Sequence, residues 1–136
     1  MQTFEISADV TQQFTDLRMK RAYRYLVFKI NDAQTGIEVE QAGPRDATFE
    51  DFRGHMPTNE PRYAVYDLEI TKSDGRHESK LLFIMYSPDT CTQSNLRVVY
   101  TTHKGSVKAK ISPVYKEMQI NDHSDIKESE WISDLS

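Results

Sequence analysis

Apolar and polar positions change period along the chain, and each change marks a new element. Val10, Phe14 and Leu17 recur at helical spacing, which predicts a short helix over residues 8–17. Residues 23–30 (YRYLVFKI) switch to a period of two, with Tyr25 and Val27 on one face and Leu26, Phe28 and Ile30 on the other. The turn chemistry of N-D-A-Q-T-G at 31–36 leads into Ile37-Glu38-Val39-Glu40, a return strand with one wet face. Thr48 is placed to cap a short helix through Met56, with Phe49, Phe52 and Met56 inward. Residues 63–70 form a third strand and Ser73-Asp74-Gly75-Arg76 a hairpin turn. Residues 80–86 (KLLFIMY) form a strand buried on both faces. Pro88 breaks that run, Pro113 stops the long helix that follows, and residues 115–120 make a fifth strand. Asp125 is the expected cap of a last helix through Leu135, with Ile126, Trp131, Ile132 and Leu135 apolar. The order α-β-β-α-β-β-α-β-α predicts the α/β (mixed α+β) class: a central mixed sheet of about five strands flanked by helices on both faces.

The long helix, residues 92–111, carries the most information. Leu96, Val99, Tyr100, His103, Val107 and Ile111 share one face at spacings of three and four, a core-facing stripe. Arg97, Thr101, Lys104 and Lys108 line the opposite face. The segment holds four basic side chains, these three and Lys110, and no acidic one. An ordinary solvated helix face interleaves both signs, because i,i+4 acid–base pairs add a few tenths of a kcal/mol each. A one-sided cationic ridge therefore reads either as a plain solvated face or as a docking surface, and the missing acidic partner favours docking.

Composition narrows the options. At 136 residues the chain predicts one domain, residues 1–136, with one core. Seventeen basic against 21 acidic residues give a net charge of −4, unfavourable for generic nucleic-acid binding. The ridge would then act locally, on a protein or an anionic headgroup. A single cysteine, Cys91, excludes an intrachain disulfide. No apolar run approaches the ~20 residues of a membrane span, and MQTFEISADV lacks a signal peptide's basic start and apolar run. The expectation is a soluble intracellular protein. Arg18, Lys20, Arg21 and Arg24 form a weak basic cluster, read as a surface patch before a nuclear signal.

No catalytic constellation stands out. The five glycines form neither a P-loop nor a G-x-G-x-x-G element, and no Cys and His have zinc-ligand spacing. Cys91 precedes a helix N-terminus, where a thiolate is favoured, but nothing nominates a base for it. Asp67 and Glu69 fall on one strand face and read as solvent-facing charges; His103 reads as a partly buried histidine and Trp131 as a core anchor. The reading is a non-enzyme, with no cofactor and no metal.

Residues 87–107, SPDTCTQSNLRVVYTTHKGSV, resemble the actin-depolymerising factor/cofilin family, in which a buried strand ends in S-P-D and leads to a long helix patterned like KMVYASSKDAL. Residues 14–39, FTDLRMKRAYRYLVFKINDAQTGIEV, are close to that family's first helix, hairpin and N-D-A-x-T turn. PRYAVYDLEI at 61–70 matches its A-x-Y-D-x-E strand. Each motif is weak alone; in the correct order over residues 7–135 they make a specific match.

The resemblance implies an ADF-homology fold and binding of actin monomers and filaments, preferably in the ADP state, followed by severing or depolymerisation. Carried over by position, the actin face is Asn95, Arg97, Val98, Thr101, Lys104 and Lys108, joined by the extended N-terminus with Thr3 and Phe4. Val98 would enter an apolar cleft on actin while Arg97 and Lys104 make polar contacts. A weaker filament-only face falls at Arg76, Glu78, Lys80 and Asp134. The family's basic helix also binds phosphoinositides, here through Arg97, Lys104, Lys108 and Lys110. A monomer in the cytoplasm, associated with the cytoskeleton, is implied. Asn95 replaces a usual base, Gly105 a usual acid, and Glu78 another usual base, so monomer binding is expected to outweigh filament side-binding. No regulatory N-terminal serine stands at Gln2 or Thr3. The alternative is a glia-maturation-factor-like protein of the same fold, acting on the branch-nucleating complex and not on actin; the E-x-E-W-I ending leans that way and the N-D-A-Q-T turn against it.

Overall fold

A computed structural model describes residues 4–135, without the side chain of Leu135. The elements in chain order are β1 (Glu5–Ile6), α1 (Ala8–Thr15), β2 (Tyr23–Ile30), β3 (Gly36–Pro44), α2 (Phe49–His55), β4 (Arg62–Thr71), β5 (His77–Tyr86), α3 (Ser94–Lys110), β6 (Lys116–Ile120) and α4 (Glu128–Leu135). A π-helical turn, Asp16–Lys20, extends α1, and a 3-10 turn, His123–Asp125, precedes α4.

The strands form one sheet in the order β1-β3-β2-β4-β5-β6. The inner pairs are antiparallel and the two outer pairs, β1–β3 and β5–β6, are parallel. Period-two alternation divides the sheet's side chains between two cores. Tyr25, Val27, Ala64, Tyr66, Leu68, Leu82 and Ile84 meet Phe49, Phe52, Met56 and Trp131 beneath α2 and α4. Leu26, Phe28, Ile30, Tyr63, Val65, Phe83 and Met85 meet Val10, Phe14, Tyr100, Val107 and Ile111 beneath α1 and α3. Trp131 is edge-on to Phe49 at 5.2 Å, the anchoring role its sequence suggested.

Thr48 caps α2 as expected, its hydroxyl accepting from the Asp51 N–H while Asp51 accepts from the Thr48 N–H. Three expectations need correction. There are six strands, because Glu5 and Ile6 pair with Gly36 and Ile37. A two-residue strand shows no alternation, and its register depends on Gly36: a Cβ there would lie 2.4 Å from the Glu5 carbonyl oxygen. Asp125 ends the 3-10 turn, and two residues separate it from the start of α4, so it does not cap that helix. Asp67 does not face solvent. It is 2% exposed and accepts from Arg45 at 2.8 Å, because the loop after β3 folds back over β4. Arg45 also reaches Glu69 at 2.5 Å, and Arg24 reaches Glu69 at 3.2 Å.

Candidate functional site: the outer face of α3

Two phenols fix α3 to the sheet. The Tyr100 hydroxyl accepts from the Ile30 N–H at 2.9 Å, and the Tyr63 hydroxyl donates to the Tyr100 carbonyl. Their rings tilt together at 5.0 Å. Burial pushes both phenols' pKa values up, so they stay protonated. Leu96 and Val99 add partly buried apolar surface, while Tyr100, Val107 and Ile111 are buried. The core stripe is as its periodicity indicated, and the rotation of the helix is therefore set.

That rotation leaves Val98 outward. It is 61% exposed, while its neighbours Arg97 and Val99 are half-buried. Thr101 and Thr102 are exposed, and their hydroxyls donate back to the Arg97 and Val98 carbonyls at 3.0 and 2.8 Å. Asn95 is exposed at the first turn of α3. The N-terminal strand runs alongside: Phe4 stacks on His103 with ring centroids 3.7 Å apart and planes 10° from parallel. Glu5 N–H donates to the Thr35 carbonyl at 2.8 Å, tying this segment to the turn before β3. Phe4 and the α3 face are thus brought together, while Thr3 lies outside the described residues.

The cations are not unpaired, which corrects the premise of a ridge without acidic partners. Arg97 donates through Nε to the buried Ser87 hydroxyl at 2.9 Å, and its Nη2 lies 3.2 Å from an Asp89 carboxylate oxygen. It therefore braces α3 against the S-P-D loop. Lys104 and Lys108, one turn apart, converge on the two oxygens of the Glu117 carboxylate on β6. Hydrogen bonds from Lys104 and then Lys108 hold the Glu117 carboxyl below its ordinary range. Among the described residues, Lys110 pairs with no carboxylate. Sequence reasoning missed Glu117, though one signal pointed to it. Met118 and Ile120 pack toward α2 and α4, so alternation turns Glu117 toward α3.

The second predicted face is only partly gathered. Arg76, Glu78 and Lys80 share the β4–β5 hairpin. Arg76 binds Asp74 at 2.7 Å, Glu78 sits 3.2 Å from Lys80 and 3.8 Å from Lys72, and the Lys80 ammonium lies 4.0 Å over the Tyr115 ring. Asp134 is exposed on α4, and among the described residues no ion pair or hydrogen bond joins it to the hairpin. No group of three or more His, Cys, Asp or Glu suited to a metal ion occurs among the described residues, and no described helix is long and apolar enough to cross a membrane.

The chain is similar to known proteins along nearly its whole length. Actophorin of Acanthamoeba castellanii is 34% identical over 128 residues, covering 94% of this chain and 91% of that protein. The crystal structure of Streptomyces griseoflavus cofilin superposes with a TM-score of 0.88 at 23% identity, covering 98% of this chain and 97% of that one. Glia maturation factor from Caenorhabditis elegans shares the fold at a TM-score of 0.75 and 22% identity, covering 99% and 97%. The sequence profile of the cofilin/tropomyosin-type actin-binding proteins matches residues 3–136, and the chain belongs to that family.

Proposed function

We propose that this protein binds actin monomers and filaments through the outer face of α3 and promotes filament depolymerisation and severing. The observation that carries this reading is Val98: a large apolar side chain held mostly in solvent on a helix whose other large apolar residues are packed inward. A lone exposed apolar residue is ordinary on a surface; what singles out Val98 is its position among the residues that the family resemblance assigns to actin. Asn95, Arg97, Thr101, Lys104 and Lys108 form its polar rim and Phe4 extends it; Thr3, outside the described residues, is assigned to the same contact by the family resemblance alone. The protein acts by differential affinity, without catalysis: tighter binding to one filament state shifts the population toward it. ADP-actin is the preferred form. The hairpin residues Arg76, Glu78 and Lys80, with Asp134, form a weaker second contact used only on filaments. Arg97, Lys104, Lys108 and Lys110 are the residues offered to phosphoinositide headgroups. The protein works as a one-domain monomer in the cytoplasm, on the cytoskeleton.

Glia maturation factor matches at the level of fold, whereas the 34%-identical relative is named actophorin, which favours actin over the branch-nucleating complex. The test is co-sedimentation with pre-formed ADP-actin filaments, scoring the protein in the pellet and actin left in solution. Co-pelleting with a rise in soluble actin is the expected result. No pelleting and no change in soluble actin would overturn the proposal.

A further inference from the structure

We infer that Glu117 is a built-in competitor for the partner of Lys104 and Lys108, and so sets how tightly the α3 face binds an acidic surface; this rests on the proposed use of that face. Three features of the structure support the assignment. First, one carboxylate serves two cations: Glu117 meets Lys104 through one oxygen and Lys108 through the other. Both lysines are thereby occupied in the free protein, as they would be by a carboxylate pair on a partner. Second, the clasp is at the surface. The side chains of Lys104, Lys108 and Glu117 are 27%, 46% and 25% exposed, so a partner can reach the ammonium groups without any backbone change. Third, the two sides differ in mobility. Glu117 stands on β6, whose backbone is paired with β5, while each ammonium ends a flexible four-carbon stem. Opening therefore consists of the lysines swinging outward while Glu117 stays in place.

Exposed ion pairs of this kind hold their partners by roughly one-and-a-half- to fivefold each. The clasp thus offsets half of the two lysines' charge at rest and is weak enough to be displaced. An acidic partner must exchange with Glu117, which lowers its affinity and rejects anions that lack further contacts. Lys110 lies two residues beyond Lys108 and outside the clasp, which makes it an internal control.

The test compares the wild type with Glu117→Gln, after thermal melting has shown that both are folded. Two readouts are taken. One is the dissociation constant for ADP-actin filaments at low salt. The other is titration of inorganic phosphate against the NMR signals of 13C-methylated lysines, which keep their charge. The expected results are filament binding about fivefold tighter in Glu117→Gln, and Lys104 and Lys108 signals that respond at about fivefold lower phosphate, with Lys110 unchanged. Unchanged or weaker phosphate binding in the variant overturns the inference, since Glu117 would then merely support the lysines. If neither protein binds filaments but the phosphate response is as expected, the competitor stands and the actin proposal falls. If both bind filaments equally and phosphate shows no difference, the reverse holds.

Discussion

Tyr100→Phe isolates the contact that orients the whole face. The substitution removes one oxygen from a fully buried ring and leaves its packing against Tyr63 intact. What it takes away is the acceptor for the Ile30 N–H, held at 2.9 Å. The β2–β4 ladder ends at the Phe28–Tyr63 pair, so Ile30 lies two residues beyond it, and its N–H depends on the phenol. A buried N–H left without an acceptor costs about 1–3 kcal/mol. At this chain length each kcal/mol moves Tm by roughly 3–5 °C, so a loss of about 2 kcal/mol lowers Tm by about 6–10 °C. Tyr63→Phe is the internal comparison. It removes a donor from the Tyr100 carbonyl, but that carbonyl keeps its place in the α3 hydrogen-bond ladder. Its expected cost is smaller, about 0.5–1.5 kcal/mol. Thermal melts of the two variants, with urea midpoints as a check, decide the matter. A Tm for Tyr100→Phe within about 2 °C of wild type, or a larger loss for Tyr63→Phe, would refute the idea that an otherwise orphaned N–H anchors α3.

Further outcomes follow from the same contacts. Val98→Asp changes Tm little, because the side chain stands mostly in solvent, and weakens filament binding in co-sedimentation by more than about tenfold, as loss of a central apolar anchor does. Asp67→Ala removes the buried partner of Arg45; breaking a buried pair costs about 3–5 kcal/mol, with the lower end expected because Arg45 is partly exposed and keeps Glu69, and urea unfolding measures it. Glu117 also sets a pH effect. Its folded-state pKa is depressed below the ordinary 4.5, so its contribution is complete above that value and is lost as pH falls through the lowered one. The stability gap between wild type and a Lys104→Gln/Lys108→Gln variant, about 1 kcal/mol near neutrality, therefore closes in acid, and urea midpoints across that range measure it.

Side-chain periodicity made most of the architecture readable. Tyr25 and Val27 do face one core and Leu26, Phe28 and Ile30 the other, because a half-turn per residue is forced by the strand backbone. Residues 96–111 gave the correct inner face of α3 for the same kind of reason. What periodicity cannot carry is an interaction set by tertiary closure. Asp67 and Glu69 share a face with a period of two whether or not Arg45 folds over them. Glu5–Ile6 is too short to show any period. Glu117 lies nine residues past Lys108, on another element, so rules for i,i+4 pairs on one helix do not reach it. The outward face of α3 was therefore legible in orientation but not in its ion pairing.

That difference in charge bears on which partner the face suits. Arg97, Lys104, Lys108 and Lys110 are four cations, but Asp89 and Glu117 stand among them. A polyanion that binds by charge alone gains less from a face half neutralised in advance, and that gain fades further with salt. A protein surface that offers a cleft for Val98 gains apolar burial that salt does not weaken, on the order of 1.5–3 kcal/mol for a fully buried valine. The two classes of partner thus separate by ionic strength. Filament binding should persist at salt concentrations where binding to anionic vesicles is already lost. Equal salt sensitivity of the two would mean that Val98 contributes little and that the lysines, clasped as they are, dominate recognition.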